Sequence, residues 1–313
     1  MILQKLPKEL VRQRHVLLQD ALRPEFHDYP IEKEYPILLS QAAGNYSYCA
    51  YERCRDSGRL QLLSHASFWP RSLICRDSGS RIPVALVGNV ATSPEARGRG
   101  IMRNLMNFLW DQAVLQKLTA LILWSDLHQF YEKLGFSMEG RELRITYVPG
   151  SITLPASPGR QLRHHPTEEI SPSFLSRLLE VRYQTGVSIE RSLREFGELL
   201  RIPDTHLLSL SAEGGDLLAY VILGKGYDMP GVIHEWGAVS PHILLIMIRE
   251  LLSLAELPEI MLLSPPLHGV WKKELFAYAA EIREHHLALI RSDDLTFREK
   301  IFSQSFIWGL DTI

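Results

Sequence analysis

The chain has 313 residues, 46% of them hydrophobic and 22% charged, with a net charge of −2. That length and composition suit two ordinary globular domains. The near-neutral balance gives no electrostatic case for nucleic acid or an anionic membrane as partner, and no apolar run reaches the roughly 18–20 residues of a spanning helix. The first residues lack the apolar core and small-residue site of a secretory signal. Cys49, Cys54 and Cys75 have no metal-ligand spacing and suit a reducing compartment. A cytoplasmic protein without a bound metal is expected.

Residues 9–22 place Leu10, Val11, Leu17, Leu18 and Leu22 on a helical stripe, and 31–40 form a shorter helix with Pro36 near its first turn. Segments 45–52, 60–68 and 81–91 alternate or run apolar like strands, with Gly58 and Ser78-Gly79 in the turns between them. The last strand carries Val84, Leu86, Val87 and Val90 into Arg97-Gly98-Arg99-Gly100. Ile101, Leu105, Phe108 and Leu109 then recur at helical spacing. A helix N-terminus has unpaired amides and a partial positive charge, so this turn suits an anion such as pyrophosphate. Glycine lets the ligand reach the main chain, and Arg97 and Arg99 add charge. Residues 118–124 read as the next strand, and 141–148 as the strand closing this half.

The segment 84–106 resembles motif A of the GNAT superfamily of acyl-CoA-dependent N-acetyltransferases, whose loop reads Arg/Gln-x-x-Gly-x-Gly/Ala. Arg97 fills its first place and Gly100 its fourth, while Met102 stands where the family has Gly or Ala. Phe130-Tyr131-Glu132-Lys133-Leu134-Gly135-Phe136 resembles the family's second signature, about thirty residues on. The resemblance covers residues 40–148 and implies an α/β (α+β) fold, a mixed central sheet flanked by helices. It also implies acetyl-CoA as co-substrate. Val90, Ala91 and Thr92 would hold the pantetheine and the thioester carbonyl. The amides of Arg97, Gly98, Arg99, Gly100, Ile101, Met102 and Arg103 would cradle the pyrophosphate, and Tyr131 would protonate the coenzyme A sulfur. The plainer alternatives are a core aromatic at Tyr131 and a solvated turn at Arg97 and Arg99.

Three prolines and two glycines between Pro149 and Gly159 break all periodicity. They divide the chain into domains at 1–150 and 160–313, with a linker at 151–159. The second half reads as helices from 171 to about 183 and 189–200, a hairpin of 206–211 and 217–225, and a strand at 231–239. An apolar helix to about 254, a strand at 259–263, a helix at 268–279 and a strand at 286–290 follow. That is the element order of the first half, without its glycine-arginine turn. The layout is similar to that of tandem GNAT proteins, and implies a degenerate second domain that has lost coenzyme A binding. It would supply part of the acceptor pocket, with Tyr220, Tyr227, Trp236 and Trp271 as an aromatic wall.

An ammonium acceptor must lose a proton before it attacks, so a carboxylate or histidine is expected near the thioester. Glu235, beside His234 in an otherwise apolar strand, is the first candidate, against a residue on the strand's solvated face. Asp126 and His128 precede Tyr131, with helix capping as the alternative for Asp126. Glu139 and Glu142 lie further on. The segment 306–313 stays apolar to Ile313. In some tandem relatives the terminal carboxylate serves as base, which implies the same for Ile313; the alternative is an edge strand ending at the surface. Two functions follow: acetyl transfer to a primary amine of a small molecule or peptide, by direct attack in a ternary complex, or, because of Met102, a non-catalytic acyl-CoA-binding or regulatory protein.

Overall fold

Strand-forming residues fill the first third of the chain and again its centre, and they build two separate sheets. The computed structural model describes residues 1–25, 30–40, 45–155, 159–254 and 257–313. In the first half the strands are β1 (Ile2–Lys5), β2 (Ser47–Arg53), β3 (Leu60–Cys75), β4 (Arg81–Thr92), β5 (Leu121–Leu123), β6 (Ser137–Glu139) and β7 (Glu142–Tyr147). There follow β8 (Arg160–His165), β9 (Val187–Ile189), β10 (His206–Ala212), β11 (Leu217–Leu223) and β12 (Val232–Ala238). The last are β13 (Ile260–Ser264), β14 (Glu281–His285) and β15 (Ala288–Arg291).

One sheet has the order β1-β2-β3-β4-β5-β15-β6, with β9 added beside the end of β3; the other has β8-β10-β11-β12-β13-β7-β14. Place by place the two match. Every pairing is antiparallel except one parallel step in each, β4 with β5 and β12 with β13. Both parallel steps span only two residue pairs, Ala85–Leu121 and Leu86–Ile122 in one, Val232–Met261 and Ile233–Leu262 in the other. The chain is a duplicated mixed α/β fold.

The strand predicted to close the first half does not do so. It is β7, and it lies in the second sheet, while β15 from the second half takes the matching place in the first. The register shows how. Glu139 faces Ala288 and Glu142 faces His285, three residues on along each chain. One antiparallel ribbon therefore starts in the first sheet and bends at 140–141 and 286–287 into the second. Gly140 (φ 69°) makes the bend, and a Cβ there would lie 2.8 Å from Leu287 Cβ. Neither half of the sequence holds all the strands of one sheet.

Other boundaries shift for local reasons. The helix predicted at 31–40 is two short ones, Ile31–Glu34 and Pro36–Leu39, because the residue before a proline is pushed out of helical geometry. β3 runs past Pro70 to Cys75; β2 ends opposite Ser67, so Pro70 withholds no hydrogen bond from it. The helix predicted at 189–200 spans Leu193–Leu199 behind a capping box of Ser192 and Glu195, and the residues before it form β9. Of the expected linker at 151–159, residues 156–158 lie outside the described residues.

The helix Ile101–Leu115 buries Leu105, Met106, Leu109 and Ala113 against Phe68, Val87, Leu123 and Tyr131. Each large side chain so buried contributes about 1.5–3 kcal/mol. The helix Pro241–Leu254 is buried on almost every side and joins a core that reaches both sheets. Among the described residues no helix is long and apolar enough to cross a membrane.

The shared ribbon makes the halves depend on one another. Ile290 is fully buried and pairs with Ile122 of β5 and Ser137 of β6. Ile290→Ala should cost about 2–5 kcal/mol. Urea unfolding followed by tryptophan fluorescence should show this as a lower midpoint in one transition; two separate transitions would contradict the coupling.

Candidate active site

β4 leaves β5 after Leu86. Val87, Gly88, Asn89, Val90, Ala91 and Thr92 then border a cleft of about 1270 Å³. On its other edge β4 gains one residue: the step from Gly88 to Ala91 faces the step from Ser67 to His65, and Asn89 adopts φ 47°. This is a β-bulge, which re-aims the strand. Ser67 Oγ donates to Asn89 Oδ1 at 2.8 Å, and His65 Nδ1 lies 2.9 Å from the Asn89 carbonyl. Burial pulls the His65 pKa to about 3. The ring is therefore neutral, and its Nδ1–H donates to that carbonyl.

Beyond Thr92 the chain turns through Gly98 (φ 74°) and Gly100 (φ 72°) into the helix Ile101–Leu115. Both glycines are in left-handed geometry, and no side chain caps the helix. The amides of Ile101, Met102 and Arg103 thus lack a capping acceptor, at the positive end of the helix dipole. Arg97 borders the cleft, with Nε 3.4 Å from the Thr92 carbonyl; Arg99 is exposed and pairs with Glu52 at 3.3 Å. Ile101 faces inward onto Ala50, Leu63 and Ala96. Met102 is half-buried in the cleft wall, its sulfur 4.0 Å from Ser64 Oγ.

Tyr131, on the short helix His128–Glu132, lines the same cleft. Phe130 and Phe136 meet its ring edge-on. Burial pushes its pKa up to about 12, so at neutral pH it carries a proton to give. Asp126 and His128 are exposed at the cleft rim. Glu142 is buried in the wall; burial raises its pKa, against the Arg144 Nε donor 3.0 Å away. Glu139 is held by Arg298 at 2.5 Å and does not line the cleft.

Glu235 is also outside the cleft. It is fully buried, on neither a solvated face nor a substrate pocket. Arg191 donates to its two oxygens at 3.2 and 2.8 Å and, on its other side, to Asp311 at 2.9 and 2.6 Å. Tyr220 OH adds a donor to Glu235 at 3.2 Å. Burial would raise the Asp311 carboxyl, but Arg191 holds it below the usual carboxylate range. Both acids are committed to structure, and Glu235 is set aside as the base.

This ion cluster anchors the tail. The segment 306–313 is no surface edge strand: Phe306, Ile307, Trp308, Leu310 and Asp311 are buried, and Ile307, Gly309, Thr312 and Ile313 reach the cleft. A Cβ on Gly88 would lie 2.6 Å from the Ile313 main-chain carbon, so only glycine lets the tail come this close to β4. Gly309 likewise lies against His234, where a Cβ would be 2.5 Å from the His234 Cβ.

The second copy of the splay is plugged. Beyond the last β12–β13 pair, Trp236 Nε1 donates to the Leu263 carbonyl at 2.9 Å. Its ring packs on Tyr183, Trp271 and Trp308. At the following helix, Ser240 Oγ takes the Ile243 amide at 3.3 Å. Tyr220, Tyr227, Trp236 and Trp271 therefore form no acceptor wall; none of them lines the cleft.

Residues 54–138 match the family model described as an Acetyltransferase (GNAT) domain. The chain carries a GNAT acetyltransferase domain. Among solved structures, a conserved Enterococcus faecalis V583 protein described as a probable N-acyltransferase is 18% identical, with a TM-score of 0.71 over 96% of this chain and 74% of its own. Eis1 of Mycobacterium abscessus is 17% identical, with 0.60 over 94% and 74%. Saccharomyces cerevisiae N-myristoyltransferase, with bound myristoyl-CoA and inhibitors, is 10% identical, with 0.56 over 93% and 80%. At these identities the likeness is one of fold, and it extends over both halves. No curated protein matches the sequence.

Removing one member of a buried ion cluster leaves its partner uncompensated. Glu235→Ala should therefore destabilise the protein by about 3–5 kcal/mol, read as a lower urea midpoint. A variant as stable as the wild type would contradict a structural role for Glu235.

Proposed function

We propose that the chain is an N-acetyltransferase that moves the acetyl group of acetyl-CoA to a primary amine of a small molecule or peptide. The observation that carries this reading is one cleft that holds the unpaired edge of β4, Arg97, Tyr131 and Ile313 together. In this reading residues 1–150 bind the acyl-CoA and 160–313 close the acceptor end. The yeast enzyme of like fold has myristoyl-CoA bound, which supports an acyl-CoA as ligand.

The pyrophosphate lies on the amides of the turn from Arg97 to Arg103, drawn by the helix end and by Arg97. The pantetheine runs along Val90, Ala91 and Thr92, whose main chain offers it the hydrogen bonds that β5 does not take. The amine nitrogen attacks the thioester carbonyl carbon directly in the ternary complex. A C–N bond forms, the C–S bond breaks, and the Tyr131 hydroxyl passes its proton to the departing sulfur. In a chain that stops at Ile313, its main-chain carboxylate beside Gly88 takes the proton that the amine sheds. The reducing cytoplasm suits the three free thiols.

Acetyl-CoA should raise the melting temperature, because a ligand at 100 times its Kd adds about 2.7 kcal/mol to folding stability. No shift at millimolar ligand would end this reading. A shift without coenzyme A release from any amine in a screen would favour the non-catalytic acyl-CoA binder.

Tyr131→Phe should lower kcat by about 10²–10⁴-fold, the usual contribution of general acid catalysis, and leave the acetyl-CoA melting shift intact. Equal losses in rate and in binding would mean that Tyr131 only packs.

A further inference from the structure

Lys225 has no part in the chemistry above, yet it lines the same cleft. It follows β11 in Gly224-Lys225-Gly226, where both glycines have positive φ, 74° and 52°. A Cβ on Gly224 would collide with the Asp204 carbonyl, and one on Gly226 would lie 2.7 Å from the Glu34 carboxylate. The tight turn sends the lysine inward.

An ammonium has three N–H donors, and the tail takes three. Lys225 Nζ donates to the carbonyls of Gly309 and Thr312, each at 2.6 Å, and to Thr312 Oγ1 at 3.1 Å. Among the described residues no carboxylate forms an ion pair with it. Asp228, Asp311 and Glu34 attract it from further off, while Arg191 repels it and neutral His234 lies on its flank. Burial outweighs the attraction and brings its pKa down to about 8. A buried charge held by two main-chain carbonyls and one hydroxyl is costly, and it acts on one segment alone.

We infer that Lys225 is a positioning residue for acyl transfer: by gripping Gly309 and Thr312 it fixes the Ile313 main chain beside Gly88 in the cleft. The inference rests on the acyl-transfer reading proposed above. Near pH 8 the lysine loses its proton, one of the three donors goes, and the grip on the tail weakens.

The test compares the wild type with Lys225→Met, which keeps the bulk without the donors, and with Lys225→Arg. Hydrogen exchange over residues 306–313 needs no turnover, and it should speed up about tenfold or more in Lys225→Met. In amine acetylation, kcat of Lys225→Met should fall about tenfold or more while the acetyl-CoA melting shift is kept, and Lys225→Arg should recover part of the rate. The wild-type kcat should drop above about pH 8, and this limb should be missing from Lys225→Met. If Lys225→Met does not fold, Thr312→Val removes one acceptor and should show the same split with smaller losses.

Unchanged exchange, an unchanged kcat, or equal loss of kcat and acetyl-CoA binding would each overturn the role. A wild type that binds acetyl-CoA but acetylates no amine would remove the reaction itself. The exchange data would then still say whether Lys225 holds the tail.

Discussion

Two strands that part after two residue pairs govern this molecule. A parallel step that ends early strands main-chain donors and acceptors, and buried ones must find partners. In the second sheet the protein supplies them from within: the Trp236 indole donates across the gap to Leu263, and an aromatic cluster fills the space behind it. In the first sheet, among the described residues, no side-chain hydrogen bond crosses the gap between β4 and β5. The edge of β4 from Val87 to Thr92 faces the cleft, and a bulge at Asn89 turns it there. The same fold, used twice, is open once and plugged once.

The open copy is finished by the rest of the chain. A single ribbon threads both sheets, so Leu289 and Ile290 complete two cores, one on each face of the sheet, begun by residues far upstream. The tail then crosses to the first sheet and meets β4 at Gly88. Its path is set by charge as much as by apolar packing. Arg191 holds Asp311 and Glu235 together, and Arg71 from β3 lies 3.8 Å from Asp311. Buried charges tolerate few arrangements, so the cluster and the lysine beside it leave the tail little choice of route.

Much of this was legible in the residues. The glycine-arginine turn, the strand before it and the helix after it lie where hydrophobic spacing puts them, because each forms from neighbouring residues. Tyr131 reaches the cleft for the same reason, being one short helix beyond β5. β8 and β14 were not legible: Arg160–His165 and Glu281–His285 are largely polar and bury no residue fully, and only their pairing makes them strands. Pro36 and Pro70 show both outcomes of one residue, a helix broken where its geometry forbids continuation and a strand carried on beside β4 past the end of β2.

The sequence by itself determined the glycine-arginine turn, the strand and helix on either side of it, and the absence of such a turn in the second half. These are local properties, decided by backbone propensity and by apolar residues a few positions apart. Only the tertiary structure decided where β7 and β15 pair, that Glu235 serves an ion cluster, and that Ile313 ends beside Gly88. Each of those depends on contacts between residues scores of positions apart, and a charged or apolar side chain does not carry its partner's address.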